Sequence, residues 1–200
     1  MAFPIAHATA GYLVYRLDPR RARGTWPRAL AFMAIANVPD VDFLVGFLFG
    51  RPGAFHRGIS HTVLAALVFG ALAGTFTWWR RKDRWWPATL LCAAAYGSHL
   101  LVDAFTSDLR DAAGAQFFWP LSDAYYISPV TIFNGMFLDG DSRSSFISSI
   151  VAWPTVWLLA YEVLVAGVVV VLLRVLDVVQ AREPACEPMV AEFGREEELT

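Results

Sequence analysis

The chain has 200 residues, of which 56% are hydrophobic and 17% charged, with a formal net charge of −2. That length would suit one globular domain, but so apolar a composition lies outside the usual range for a water-soluble one and points to a membrane. Two cysteines, Cys92 in an apolar stretch and Cys186 in a polar tail, exclude a disulfide framework or a thiolate zinc motif, and no nucleic-acid partner is expected.

In chain order, the first apolar piece (2 to 15) lacks the basic start of a secretory signal and a small-residue cleavage site before Arg16, so it is expected to be retained. As a helix, residues 3 to 16 extend about 20 Å at roughly 1.5 Å per residue, short of a hydrocarbon core of roughly 30 Å. The segment reads as a tilted or partial span. Four further stretches approach or exceed the roughly twenty residues that a crossing needs: "ALAFMAIANVPDVDFLVGFLFG" (29 to 50), "HTVLAALVFGALAGTFTWW" (61 to 79), "WWPATLLCAAAYGSHLLV" (85 to 102) and "WPTVWLLAYEVLVAGVVVVLL" (153 to 173). The expected fold class is all-α: a polytopic membrane helical bundle with four to five transmembrane helices. Residues 1–176 form the membrane-embedded domain. Residues 177–200, which end in "EPACEPMVAEFGREEELT", read as an acidic, disordered cytoplasmic tail.

Charge is partitioned along the chain. Arg16, Arg20, Arg21, Arg23 and Arg28 follow the first segment, and Arg80, Arg81, Lys82 and Arg84 separate the third from the fourth. Basic loops face the cytoplasm. An odd number of crossings puts the C-terminus there too, and leaves the loops 51 to 57 and 107 to 145 outside. The longer of these carries "FFWPLSDAYYISPVTIF", an aromatic composition that suits an interfacial or site-covering segment. The tryptophan pairs at 78, 79 and 85, 86 suit an aromatic belt at the inner interface.

Ionisable groups inside spanning segments are costly unless paired, coordinated or hydrated, which makes each a candidate for function. They are His7, Asp40, Asp42, His61, His99, Asp103 and Glu162, with His56 just outside. Counted from the inner arginines at roughly 1.5 Å per residue, Asp40 and Asp42 lie about 18 to 21 Å above Arg28, and His99 and Asp103 about 22 to 28 Å above Arg84. His61 opens its helix on the outer side. A polar site in the outer half of the membrane follows, which His7 joins only if its segment is tilted or displaced.

Local geometry suits ligands. His99 and Asp103 are four apart and share one helix face. Asp40 and Asp42 would diverge on a regular helix, but Pro39 removes a backbone hydrogen bond, and a broken helix can aim both inward. His56 and His61 would also diverge on one helix. We read Gly58 as permitting a turn and Ser60 as the helix N-cap, with His56 in the loop and His61 in the first turn. A lone histidine near a membrane surface is more often an interfacial hydrogen-bonder than a ligand, but three aspartates repelling one another in a low-dielectric layer call for a cation. Glu162, alone in "LLAYEVLVAG", reads as protonated or hydrogen-bonded to a neighbouring helix. The "DGD" at 139 to 141 lacks the further oxygens of a calcium loop and reads as a turn.

"PDVD" (39 to 42), "HRGISH" (56 to 61), "SHLLVDAFTSD" (98 to 108) and "FWPLSD" (118 to 123), preceded by a histidine near the start, resemble the small prokaryotic inner-membrane proteins described as membrane-bound metal-dependent hydrolases, the family that includes the LexA-regulated YdjM. The ordered set covers roughly residues 5 to 125. The order is also similar to that of zinc-dependent phospholipase C, an all-helical enzyme that holds a cluster of divalent metals. That second resemblance implies His7, Asp40, His61, His99 and Asp103 as ligands, with His56 and Asp42 as ligands or as support, and zinc as the ion, with manganese or magnesium as alternatives. It departs from the phospholipase pattern in having no later His-x-x-x-Glu pair.

The expected function is a membrane-bound metal-dependent hydrolase of the prokaryotic plasma (inner) membrane, its site facing outward, acting on a phosphoester or lipid-like substrate through metal-activated water. Asp40 or Asp42 would orient or deprotonate that water, and Arg57, at the opening of a helix, would hold a phosphate oxygen or bind lipid headgroups. The alternative is a divalent-metal-binding membrane protein without turnover, a transporter or sensor, whose polar groups should lie at both depths.

Overall fold

In the computed structural model, residues 2–20, 26–82, 84–107, 114–135 and 138–182 are described. Residues 1–166 form one compact unit and 167–200 a second, of which the described part is the end of one helix. The "EPACEPMVAEFGREEELT" segment and Cys186 lie outside the described residues, as do 108–113 of the aromatic-rich loop.

The helices follow the apolar segments: α1 (Pro4–Arg16), α2 (Trp26–Ile35), α3 (Asp42–Leu48), α4 (Val63–Arg81), α5 (Trp85–Ala104), α6 (Arg143–Ile150) and α7 (Trp153–Arg182). β1 (Thr106–Ser107) and β2 (Phe133–Asn134) make a short parallel pair. Pro4 opens α1, where its missing N–H costs nothing. α7 continues to Arg182, beyond the expected domain boundary at 176.

Among the described residues, two helices are long and apolar enough to cross a membrane, Val63–Arg81 and Trp153–Ala181, and the bent pair Trp26–Ile35 with Pro39–Leu48 makes a third if counted as one span. The bend between the two halves is 59°. Pro39 lies at its centre, in a one-turn 3-10 helix (Pro39–Val41) that separates α2 from α3. α5 has twenty residues but carries His99 and Asp103 on one of its faces.

Burial is inverted relative to a soluble protein. Leu64, Leu67, Val68, Leu72 and Phe76 of α4 and Trp157, Val163 and Leu164 of α7 are exposed, whereas His7, His61, His99, Asp103 and Glu162 are buried. Exposed apolar helix faces of this extent fit lipid, and the buried polar groups need partners inside. Small residues let the helices approach. A Cβ on Gly70 would lie 2.6 Å from the Ala93 methyl, and one on Gly74 would lie 2.9 Å from the Trp85 carbonyl oxygen, so this G-x-x-x-G edge of α4 seats directly on α5.

Two local readings change. Thr62, not Ser60, caps α4: its Oγ1 accepts from the Ala65 N–H at 3.0 Å. The left-handed turn falls on Arg57 (φ 63°), while Gly58 has a negative φ. α6 was not foreseen. It begins with a Ser142–Ser145 capping box, and Arg143 donates to the carbonyls of Phe47 and Leu48 at the end of α3, each at 2.7 Å. The "DGD" segment is a turn, Asp139 Oδ1 accepting from the Asp141 N–H at 3.1 Å. The loop 114–135 ties the ends of α4 and α5 together. Val63 N–H donates to Phe117 O at 2.8 Å, and Ser128 and Ile132 donate to Ala104 and Phe105, both at 2.8 Å.

Candidate metal centre

Four chain segments deliver the site. α1 supplies His7; the bend after α2 supplies Asp40 and Asp42; the turns before α4 supply His56 and His61; and the last turns of α5 supply His99 and Asp103. The segment carrying His7 reaches the others. Its imidazole stacks on that of His99 with ring centroids 3.7 Å apart, and its Nε2 is 3.6 Å from Asp103 Oδ1.

The contacts run without a break. His99 Nε2 is 3.4 Å from both Asp40 Oδ1 and Asp103 Oδ2, and His61 Nε2 is 3.5 Å from Asp40 Oδ1 and 3.6 Å from Asp103 Oδ2. His56 Nδ1 is 3.2 Å from Asp42 Oδ1 and 3.9 Å from Asp40 Oδ1. Among the described residues, three groups have ligand atoms within 4.8 Å of one another: His7, Asp40 and His99; Asp40, His56 and His61; His61, His99 and Asp103. Each pair of groups shares one residue. Asp42 is in none of them. It bonds instead to the backs of the imidazoles, and Ser60 Oγ donates to its Oδ2 at 2.8 Å.

The outer bonds fix which ring nitrogens face inward. His99 Nδ1 is 2.8 Å from the Ala36 carbonyl oxygen, which can only accept, so the proton sits on Nδ1 and Nε2 presents a lone pair. His61 Nδ1 lies 3.2 Å from Asp42 Oδ2 and 3.0 Å from Ser60 Oγ, with the same result. The Nε2 atoms of His61 and His99 are then 3.1 Å apart, two lone pairs facing each other when both rings are neutral. His7 Nδ1 and Nε2, both oxygens of Asp40 and of Asp103, and His56 Nε2 are buried without a hydrogen-bond partner. Buried polar atoms are seldom left so. A divalent cation answers both observations, and a donor set of imidazole and carboxylate without thiolate fits zinc, manganese or magnesium.

The enclosure is one-sided. The side chains of His7, His61 and His99 are fully buried and that of Asp103 nearly so, whereas Asp40, Asp42 and His56 retain 8–12% exposure. That rim adjoins a cavity of about 630 Å³ lined by Asp42, His56, Arg57, Ser60, Gly114 and Tyr125 among others. Arg57 is outside the cluster, on the cavity wall, its Nη1 donating to Gly114 O at 3.2 Å. Burial holds the His56 imidazole below its ordinary pKa, against the hydrogen bond with Asp42 that favours the charged form.

Glu162 is not a member of the three groups. Its two oxygens accept from the backbone N–H groups of Phe3 (2.6 Å) and Ala6 (3.0 Å), so α7 grips the first turn of α1 just before His7. Two further residues stand behind the ligands: Ser60, which the sequence suggests as a helix cap, and Tyr96, which carries no sequence signal and donates to Ser60 O at 2.7 Å.

The family model described as YdjM inner membrane protein matches residues 1–182. The chain belongs to that family. With the exposed apolar helices, membership of the YdjM inner membrane family places the chain in a membrane. No curated protein and no solved structure matches it.

Proposed function

We propose that the chain is a membrane-bound metal-dependent hydrolase acting on a phosphoester or lipid-like substrate, with His7, Asp40, His56, His61, His99 and Asp103 as ligands of divalent ions, zinc first. The observation that carries this reading is the set of three overlapping ligand groups built around buried, unpartnered imidazole nitrogens and carboxylate oxygens. Overlap suits two neighbouring ions better than one. In place, such ions lower the pKa of a coordinated water and polarise a phosphoryl oxygen.

The protein's own part follows from its contacts. Ala36 O, Asp42 and Ser60 hold the rings of His99 and His61 in the tautomer that binds metal. Asp40, with both oxygens unpartnered and on the half-open rim, takes the proton of the attacking water. Arg57, tethered at Gly114 on the cavity wall, holds a phosphoryl oxygen of the substrate. We place α1 as a partial span, with the α2–α3 pair, α4, α5 and α7 crossing fully, the site in the outer half and the C-terminus in the cytoplasm, on the distribution of arginines.

The test is to purify the protein in detergent, measure bound divalent metal, and assay phosphomonoester, phosphodiester and phospholipid hydrolysis by the wild type, His99→Ala and Asp103→Ala. Chelator-sensitive hydrolysis lost in both variants is expected. Stoichiometric metal without any such hydrolysis would assign the centre to a transporter or sensor instead.

A further inference from the structure

The opposite ends of the helices that carry the metal ligands hold a second polar feature. A cavity of about 730 Å³ is lined by Arg20, Arg28, Arg80, Arg81 and Arg84, and among the described residues no acidic side chain lines it. Asp18, buried behind it, pairs with Arg28 and lies 3.5 Å from Arg20 Nε, which fixes the position of two of the five guanidinium groups. The other wall is hydrocarbon: Phe32, Ile35, Phe76 and Leu91. One occupant matches both walls, an anion attached to an apolar chain.

Depth in the membrane narrows the choice. Arg80 and Arg81 are the last two residues of α4, one of the helices long and apolar enough to cross, so the cavity lies where that helix leaves the hydrocarbon and meets the headgroup layer. Arg80 keeps its guanidinium 6.0 Å from the Phe76 ring centroid, the posture of a side chain that lays its stem along apolar surface and presents its charge to water. Arginine is also the side chain whose planar fork best matches phosphate.

We propose that this cavity binds an anionic phospholipid, its phosphate at Arg80 and Arg81 and its acyl chain along Phe32, Ile35, Phe76 and Leu91. The site is independent of the metal centre and of hydrolysis. It ties the α2, α4 and α5 ends together through a lipid of the leaflet that faces the arginine loops.

The experiment is native mass spectrometry of the full chain in detergent, titrated with phosphatidylglycerol or with phosphatidylcholine of the same acyl chains, and separately with inorganic phosphate. Saturable retention of phosphatidylglycerol is expected, weakened about twenty-fivefold in Arg80→Gln/Arg81→Gln at about fivefold per near-surface cation. Arg20 and Arg28 are left in place because their removal would strand the buried Asp18. Cys92 lines the same cavity and gives a readout in the otherwise unaltered chain: in a Cys186→Ser background its alkylation is slower in phosphatidylglycerol nanodiscs than in phosphatidylcholine ones. Equal retention of the two lipids, displacement of phosphatidylglycerol by millimolar phosphate, unchanged retention in the double variant, or the same rate of Cys92 labelling in both nanodiscs would overturn the proposal.

Discussion

His61 and His99 point their Nε2 atoms at each other across 3.1 Å, while both rings are bonded from behind at Nδ1. For neutral imidazoles this is a repulsive contact, held in place by Ala36 O on one side and Asp42 with Ser60 on the other. Without a metal ion the contact becomes favourable only when one of the two Nε2 atoms takes up a proton. Stripping divalent metal should therefore lower thermal stability. At an ion concentration a hundredfold above Kd the bound state gains about 2.7 kcal/mol, so a chelator should lower the unfolding midpoint by several degrees and added Zn²⁺ should restore it. A midpoint indifferent to chelation in protein shown to have carried metal would count against the centre.

Ser60 separates support from ligation. Its hydroxyl donates to Asp42 Oδ2 at 2.8 Å and lies 3.0 Å from His61 Nδ1, yet it belongs to none of the three ligand groups. Ser60→Ala keeps every proposed ligand while loosening the Asp42–His61 pair. Metal affinity measured by competition with a chromogenic chelator should fall about 10–100-fold, the usual range for losing an outer partner, with folding retained. An unchanged affinity would mean that Asp42 positions the ring unaided.

The gathering of the histidines and aspartates was legible in part, because ionisable residues spaced through apolar segments must find partners inside the bundle. A spaced series of histidines and aspartates in apolar helices has few explanations, and Pro39 announced the bend that lets Asp40 and Asp42 face the same cluster. What the sequence concealed depends on contacts between distant segments. Ser60 looked like a cap because a serine before an apolar run usually is one; Thr62, two residues later, does that work and frees Ser60 for Asp42. Asp18 was lost among the arginines, since nothing local shows that it is buried against Arg28. α6 is too short and too rich in serine to carry a periodic apolar signal, and it is held by its caps and by Arg143.

The α4–α5 seam predicts a sharp contrast between glycines. A side chain at Gly74 would strike Thr89 and the Trp85 carbonyl, whereas Gly97 on α5 has open space around its Cβ position. Gly74→Val should force the two helices apart, with a cost of about 1–3 kcal/mol of the kind seen for overpacked cores, and should reduce metal occupancy because His61 and His99 are carried by these two segments. Gly97→Ala should be neutral in both readouts. Thermal denaturation and bound-metal analysis of the pair decide it; equal effects from the two would mean that the close approach is not limiting.

Glu162 sets a test of how His7 is delivered. Its carboxylate accepts two backbone N–H groups, from Phe3 at one oxygen and Ala6 at the other, in surroundings where neither donor has water to turn to. Glu162→Gln leaves one acceptor and puts an NH₂ group opposite a backbone N–H, so one buried donor loses its partner at a cost of about 1–3 kcal/mol. The first turn of α1 then loosens, and His7 with it, while His56, His61, His99 and Asp103 keep their supports. The expected outcome is a lower unfolding midpoint together with selective weakening of the metal position that needs His7, read as a fall in metal stoichiometry at limiting ion that excess ion restores. Loss of all bound metal even at excess ion would show that Glu162 holds up the whole centre, and no change in either quantity would remove it from the account of the site.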